Sequence, residues 1–324
     1  MTTENPDLKT LIRKLEKRHQ KKQATTALAA GTGVLALTVL VAPLFMQPVA
    51  SQVVEAPQPF TPVASPDAFA DVRLEGKAAI VFDLTTQETL YERNARSQLP
   101  LASLTKLLTV YAAANTLAPE SQVVISSSAL AAEGESGFTE GETFTFTDLA
   151  RFVLISSSND GAAAIAEAAA TKQALSGKNL LAGAAAAAGL SQTYALNGTG
   201  LDESTSVSGG YGSAYDVARL SGALLEKAPE IAHATVASRG TVRSTTGVVH
   251  TLPNTNPNVV SIPNLLLSKT GFTDLAGGNL AVVYDAGIGH PVAIVVLGST
   301  REGRFNDVER LIARTHEYFI GSAP

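Results

Sequence analysis

Three short motifs in the sequence could together perform acyl transfer through a serine nucleophile. The first, Ser103-Leu104-Thr105-Lys106, opens an apolar helical stretch. Because residues i and i+3 share one face of a helix, the Ser103 hydroxyl and the Lys106 amine can meet. A serine needs a base to take its proton, and a lysine can be that base when burial or nearby positive charge keeps its amine neutral. The first turn of a helix also offers unpaired backbone N–H groups that suit a developing oxyanion.

The second motif, Ser157-Ser158-Asn159, lies between two predicted helices. The Ser157 hydroxyl could pass a proton to a leaving group, and the Asn159 amide could donate to a substrate carbonyl. Serine and asparagine are also preferred at helix caps and in turns. Taken alone, this motif indicates a cap as readily as a functional site.

The third motif, Lys269-Thr270-Gly271, ends a predicted strand. A lysine and a hydroxyl side by side can hold a carboxylate, and a glycine lets the backbone approach a ligand closely. In a chain of this length, the number of chance occurrences expected from average residue usage is about one for S-x-x-K and about one for S-x-N, but only on the order of 0.1 for K-T-G. The order of the three motifs therefore indicates a site more strongly than any one of them.

The periodicity of apolar residues places these motifs on a sheet and a block of helices. A hairpin of strands 78–83 and 88–92 opens the domain, and a helix over 304–320 closes it. Between them we predict helices at 103–118, 146–158, 160–171, 178–189 and 214–227, then strands at 241–249, 265–270, 279–284 and 291–297. This order predicts an α+β fold, in which one antiparallel sheet, built from both chain ends and flanked by helices, carries an inserted all-helical lobe. We expect the site in the cleft between sheet and lobe.

The N-terminal segment predicts export and membrane anchoring. Residues 1–23 have a net charge of +4, residues 24–54 carry no charged side chain, and five prolines follow between 48 and 66. About 20 apolar residues span a bilayer, and the basic side stays in the cytoplasm. We therefore predict a cytoplasmic tail (1–23), a single transmembrane helix (24–46), a Pro-rich linker (47–72) and an extracytoplasmic catalytic domain (73–324). The alternatives are a cleaved signal peptide, for which the apolar run is long, and a buried soluble helix.

Composition excludes several classes of function. The chain has no cysteine, so thiolate metal sites and cysteine nucleophiles are excluded, and its five histidines lack the i, i+4 spacing of a helical zinc site. We therefore predict no metal and no cofactor. Outside the tail the net charge is −9, which argues against nucleic acid as a partner.

With these motifs in place, the chain resembles the low-molecular-weight D-Ala-D-Ala carboxypeptidases, which are penicillin-binding serine peptidases. The resemblance runs from about residue 73 to about residue 320. It rests on residues 99–106 (LPLASLTK), 157–160 (SSND, with serine where the family has glycine), 197–202 (NGTGLD), 215–216 (YD), 254–256 (NTN) and 269–277 (KTGFTDLAG). It implies the fold shared by serine β-lactamases and DD-peptidases.

The resemblance also implies roles in acyl transfer. Ser103 would attack the carbonyl of the penultimate D-Ala after Lys106 activates it. Ser157 would relay a proton, and Asn159 would bind the substrate amide. The terminal D-Ala would leave, water would hydrolyse the acyl-enzyme, and β-lactam antibiotics would acylate Ser103 in place of the peptidoglycan stem peptide.

The resemblance implies that strand residues bind the substrate. Lys269 and Thr270 would hold its terminal carboxylate, Gly271 would let it approach, and the backbone N–H groups of Phe272 and Ser103 would form the oxyanion hole. Many family members carry a further β-rich domain after the catalytic one and a C-terminal amphipathic anchor. Because this chain ends directly after its last helix, we expect that domain to be missing and the anchor to be N-terminal.

Rival functions use the same residues. A D,D-endopeptidase that cuts peptidoglycan cross-links would share the whole site. A serine β-lactamase of class A needs a glutamate in an E-x-x-x-N loop, and none of the candidates has that context: Glu167, Glu203, Glu226, Glu230. A non-catalytic cell-wall or β-lactam-binding module is disfavoured by the intact Ser103 and Lys106. A Ser-His-Asp hydrolase has no support because the chain lacks a G-x-S-x-G elbow.

Overall fold

The computed structural model describes residues 67–134, 136–287 and 289–321. The predicted tail (1–23), the transmembrane segment (24–46) and the linker up to residue 66 lie outside these residues. Within them, no helix is both long and apolar enough to cross a bilayer. From the predicted linker, Phe69 is described; it is 6% exposed and stacks on Tyr91 with ring centroids 5.3 Å apart.

A five-stranded antiparallel sheet forms the centre of the domain. Its strands are β1 (Ala78–Asp83), β2 (Thr89–Arg93), β10 (Leu265–Thr273), β11 (Gly277–Asp285) and β12 (Pro291–Ser299). Their order across the sheet is β10-β11-β12-β1-β2, with every neighbouring pair antiparallel. The predicted opening hairpin and the sheet built from both chain ends are therefore confirmed. Strand β10, which carries the K-T-G motif, lies at one edge.

The central strands are apolar because both faces of the sheet are covered. All six residues of β1 are buried, and so are the six residues from 292 to 297 in β12. Helix α8 (Gly303–Gly321) packs against β11 and β12 on one face. Helix α6 (Ala214–Lys227) packs against β1 and β12 on the other face and joins the sheet to the helical lobe. Strands buried on both faces read as continuous hydrophobic runs rather than alternating ones.

The lobe inserted between β2 and β10 surrounds helix α1, which is apolar and mostly buried. Its helices are α1 (Thr105–Ala114), α2 (Ser127–Leu130), α3 (Phe146–Ser156), α4 (Asn159–Gln173), α5 (Gly177–Ala187), α6 as above and α7 (Pro229–Ala234). Helix α1 ends four residues before its predicted end at 118. The chain leaves the helix through a last turn, in which the N–H groups of Thr116 and Leu117 both donate to the Ala113 carbonyl, at 2.9 and 2.7 Å. Pro119 beyond this turn has no N–H with which to continue the helix.

The prediction of an all-helical lobe was wrong, because the lobe also contains small antiparallel sheets. They are formed by β3 (Leu99–Pro100), β4 (Gln122–Val124), β5 (Thr143–Thr145), β6 (Tyr194–Ala195), β7 (Gly210–Gly212), β8 (Arg239–Arg243) and β9 (Val249–Pro253). The predicted strand 241–249 is also wrong: it is the turn of the β8–β9 hairpin with part of each strand. Gly247 supplies the positive φ (+94°) that this turn requires.

Candidate active site

The candidate nucleophile lies on a tight turn that is closely contacted by a loop on one side and by strand β10 on the other. Ser103 is in a 3-10 turn (Ala102–Leu104) that leads directly into α1, and Ala102 before it has a φ of +48°. A Cβ atom on Gly200 would lie 1.9 Å from the Ala102 carbonyl oxygen. A Cβ atom on Gly271 would lie 2.8 Å from the carbonyl oxygen of Leu101. Only glycines allow the loop and strand β10 to come this close, and together they hold the turn in its uncommon conformation.

Lys106 is placed to act as the base for Ser103. Its side chain is 0% exposed, and its Nζ donates to Ser103 Oγ at 2.9 Å, to Asn159 Oδ1 at 2.6 Å and to the Thr199 carbonyl at 2.7 Å. Burial lowers the pKa of Lys106 to about 7, against the opposing charge of Asp160. A substantial fraction of Lys106 is therefore neutral near pH 7, as a general base requires.

Ser157 lies at the end of α3, where its side chain contacts Lys269. It has left-handed backbone angles (φ 63°, ψ 28°) at the cap of that helix, a conformation that is costly for a residue other than glycine. Its Oγ accepts a hydrogen bond of 2.9 Å from Lys269 Nζ. Lys269 is 1% exposed; burial lowers its pKa well below the ordinary value, and the charges of Lys106 and Arg304 act in the same direction. The serine and its amine form a second proton-handling pair.

Asn159 starts α4 and links the two walls of the site. Its Oδ1 accepts from Lys106, and its Nδ2 donates to the Glu133 carbonyl at 2.6 Å. One Nδ2 hydrogen is thus engaged, which leaves the other for the predicted contact with a substrate carbonyl. The neighbouring Asp160 is buried and accepts from Ser136 N at 3.0 Å, from the Ser136 hydroxyl at 2.7 Å and from the Ser158 hydroxyl. These contacts fix the start of α4.

A cationic pocket surrounds the K-T-G motif, and sequence reasoning missed one of its members. Arg304, 7% exposed, donates from Nη1 to the Gly271 carbonyl at 2.7 Å, while its Nε is buried without a partner. Burial and the neighbouring charge of Arg301 lower the pKa of Arg304 to about 10. In the described part of the chain, neither Arg304 nor Lys269 forms an ion pair with a carboxylate. Such uncompensated buried charge favours an anionic ligand.

The fold also brings Thr270 and Thr199 to the site. Thr270 Oγ1 donates to Thr255 Oγ1 at 2.6 Å, so the N-T-N stretch positions it. Thr199, from the N-G-T-G stretch, supplies the carbonyl that holds Lys106. Both stretches contribute to the family resemblance, which assigns them no role in the site. Arg304 had no such signal, because an arginine near the start of an amphipathic helix is usually exposed.

The oxyanion hole stays a prediction, and it is compatible with the backbone geometry. Phe272 follows Gly271 on β10, at the point where this edge strand meets the Ser103 turn. Edge strands present unpaired N–H groups. Among the hydrogen bonds of the described residues, none joins a carboxylate to Ser103 or Lys106.

These side chains define a class of enzyme site: a serine nucleophile activated by a buried lysine, opposite a Ser–Lys pair and a cationic pocket. A family model described as D-alanyl-D-alanine carboxypeptidase matches residues 63–301. The chain therefore belongs to the D-alanyl-D-alanine carboxypeptidase family, as the motifs predicted.

Curated relatives and solved structures agree with this assignment. D-alanyl-D-alanine carboxypeptidase DacF of Bacillus subtilis is 29% identical over 264 residues, which cover 76% of this chain and 66% of the relative. DacC of Escherichia coli is 30% identical over 274 residues, covering 78% and 64%. The alignments thus span slightly less than two thirds of these relatives. Penicillin-binding protein D2 of Listeria monocytogenes, solved with ampicillin bound, is 29% identical with a TM-score of 0.64, covering 75% of this chain and 98% of that one.

Proposed function

We propose that this protein is a penicillin-sensitive serine D-Ala-D-Ala carboxypeptidase that removes the terminal D-Ala from peptidoglycan stem peptides. The observation that carries the proposal is the 2.9 Å contact between Ser103 Oγ and the buried amine of Lys106, whose pKa lies at about 7. Family membership supplies the substrate class, and the solved relative bound to ampicillin supports sensitivity to β-lactams. The process served would be peptidoglycan biosynthesis and the control of cell shape.

The geometry supports a two-step mechanism. Neutral Lys106 takes the Ser103 proton as Oγ attacks the carbonyl of the penultimate D-Ala, and the oxyanion forms against the backbone N–H groups of Ser103 and Phe272. The C–N bond then breaks, and the D-Ala amine leaves with a proton relayed through Ser157 from Lys269, which lies 2.9 Å away. Before hydrolysis, the proton that Lys106 took from Ser103 passes to Lys269, which restores both amines. Water then attacks the ester, neutral Lys106 accepts its proton and passes it to Ser103 Oγ as the ester C–O bond breaks, and the shortened peptide leaves.

The leaving D-Ala explains the cationic pocket. Its carboxylate would lie between Thr270 and Arg304, where the buried Lys269 amine and the Arg304 guanidinium have no carboxylate partner in the described part of the chain. The carboxylate of D-Ala would supply the negative charge that these basic groups lack, so that neither the carboxylate nor the basic groups would be buried without a partner. A cross-linked peptide presents similar chemistry, so a D,D-endopeptidase is the second candidate on the same residues.

We also propose that the enzyme is anchored in the cytoplasmic membrane with its catalytic domain on the outer side. The support is the charge-free segment 24–54 behind a tail of net charge +4. Alkaline extraction of membranes, with external protease added to spheroplasts, tests this placement. Recovery of a shortened chain in the soluble fraction would indicate a cleaved signal instead.

The activity test uses the full-length chain and its Ser103→Ala variant, with a fluorescent penicillin, diacetyl-Lys-D-Ala-D-Ala and a purified cross-linked muropeptide. We expect stable labelling of the wild type alone, together with D-Ala release. Cleavage of the muropeptide in preference to the pentapeptide mimic would favour the endopeptidase. Labelling that decays within seconds without D-Ala release would indicate a β-lactamase. A folded wild type that takes no label would indicate a non-catalytic module.

A further inference from the structure

A second arginine lies at the mouth of the cationic pocket. Arg301 is exposed, and its guanidinium carbon lies 3.7 Å from the centre of the Phe272 ring. This stack is its only polar or aromatic interaction among the described residues: no ion pair or hydrogen bond involves its side chain. A planar guanidinium on an aromatic face keeps its N–H donors at the rim free for an anion.

Strand geometry places this guanidinium on the face of β10 that carries Thr270. Side chains two residues apart on a strand share a face, so Phe272 emerges on the same face as Thr270. The two positions are about 7 Å apart along the strand. Arg301, lying over Phe272, is therefore within reach of a carboxylate held at Thr270.

A glycine in the neighbouring strand determines this position. Gly278 pairs with Phe272 in the register of β10 and β11. A Cβ atom at Gly278 would lie 2.0 Å from the Thr300 carbonyl oxygen and 3.2 Å from Arg301 N. The chain after β12 can cross over the sheet beside Phe272 only because this side chain is missing. The position of the Arg301 backbone therefore places its side chain next to Phe272.

The charges around Arg301 favour an anionic group at this spot. Arg304, held on the carbonyl next to Phe272, is repelled by Arg301, whose charge contributes to the lowered pKa of Arg304. Glu302 is the one acidic neighbour coupled to Arg304, and it is exposed. An exposed cation beside a buried one attracts anions along a gradient that leads into the pocket.

We propose that Arg301 is a specificity-determining residue that reads the carboxylate on the leaving-group side of the scissile bond. This inference rests on the proposed function, because it assumes that the ligand carboxylate binds at Thr270 and Arg304. Arg301 contacts the approaching carboxylate at the rim, raises the association rate of anionic ligands, and leaves the chemistry at Ser103 unchanged. Charges at the rim act chiefly on association rates and on their salt dependence.

The test compares benzylpenicillin with its methyl ester as acylating agents of the full-length protein. In Arg301→Gln, the second-order acylation rate for the acid should fall about fivefold at low ionic strength, and less at high salt, which is the scale of one exposed charge pair. The rate for the ester should not change. Arg301→Lys, which keeps the charge but loses the planar stack, should retain part of the preference. Arg96→Gln, which removes another exposed arginine whose guanidinium carbon lies 3.9 Å from the centre of an aromatic ring, that of Tyr215, is the matched control and should behave as the wild type.

The outcomes separate this inference from the proposed function. Equal rates for wild type and Arg301→Gln with the acid, or an equal loss with acid and ester, would overturn the role of Arg301 while the acylation of the wild type upheld the enzyme. A folded wild type that neither compound acylates, and that releases no D-Ala from diacetyl-Lys-D-Ala-D-Ala, would refute the proposed function and this inference with it.

Discussion

The state of the Lys106 amine should control the rate of acylation as the pH changes. Burial lowers the pKa of this lysine from 10.5 to about 7, while Asp160 acts in the opposite direction. Only the neutral amine can accept the Ser103 proton. The neutral fraction is about 1% at pH 5 and about half at pH 7, so the second-order acylation rate should rise about 50-fold over this range and level off above pH 8.

Stopped-flow measurement with a fluorescent penicillin between pH 5 and 9 provides the assay, with Ser103→Ala as the blank. The free enzyme's pKa appears in the second-order rate constant. An unshifted lysine would give a rate that still rises tenfold per unit at pH 9. That result, or a rate that is flat from pH 5 to pH 7, would refute the assignment of Lys106 as a buried base.

A second variant tests whether the rise of the acylation rate with pH, here called the rising limb, is caused by Lys106 or by Lys269. The charge of Lys106 lowers the pKa of Lys269, and by the same repulsion a permanent charge at position 269 should lower the pKa of Lys106. In Lys269→Arg the charge at this position is permanent at every pH tested. The limb of a Lys106 base should therefore move to lower pH. If the limb belonged to Lys269, it would disappear in this variant, because arginine does not titrate in this range.

Three further predictions follow from the same contacts. Arg304→Gln removes a buried cation and should lower kcat/KM for diacetyl-Lys-D-Ala-D-Ala roughly 10- to 100-fold, chiefly through KM, as expected for a lost charged hydrogen bond; an unchanged KM would contradict the proposed carboxylate pocket. Gly200→Ala places a Cβ atom against the Ala102 carbonyl and should abolish penicillin labelling, whereas Gly247→Ala, with a positive φ but open space around it, should cost about 1 kcal/mol in urea unfolding and keep full labelling. The free energy of unfolding should rise by roughly a few kcal/mol from pH 7 towards pH 10.5, because the unfolded chain keeps the Lys106 proton that the native state releases; Lys106→Met should make this rise less steep, with Lys269, whose pKa is also lowered, contributing to the remainder, and an equal slope in the variant would show that Lys106 contributes nothing.

The sequence predicted the contacts that depend on local spacing. Ser103 and Lys106 meet because i and i+3 share a helix face, and the structure confirms the pairing. The sheet built from both chain ends followed from the order of apolar runs. Long-range contacts could not be predicted in this way. Thr199 reaches Lys106 across 93 residues, and Lys269 reaches Ser157 across 112.

Local sequence patterns failed in two situations: where a turn signal interrupted a strand-like stretch, and where the burial of a residue depends on a neighbour that is distant in the sequence. The stretch 241–249 is rich in Thr and Val, which predicts a strand, yet Thr246-Gly247 in its middle is a turn signal of greater weight. Arg304 is the first residue of the predicted helix 304–320, and the sequence gives it no role. Its burial depends on Gly271, 33 residues earlier in the chain, and no helical periodicity encodes that neighbour.

The two buried lysines differ in what surrounds their charge, and this difference explains why one site needs both. Lys106 has the negative charge of Asp160 nearby, so its pKa stays at about 7 and it can gain or lose a proton under ordinary conditions. Lys269 is surrounded by the positive charges of Lys106 and Arg304, so its charged form lacks a negative partner. The carboxylate of the proposed substrate would supply that partner and raise the Lys269 pKa. The same event would favour the neutral form of Lys106 through repulsion, so ligand charge would complete the base and the proton donor together.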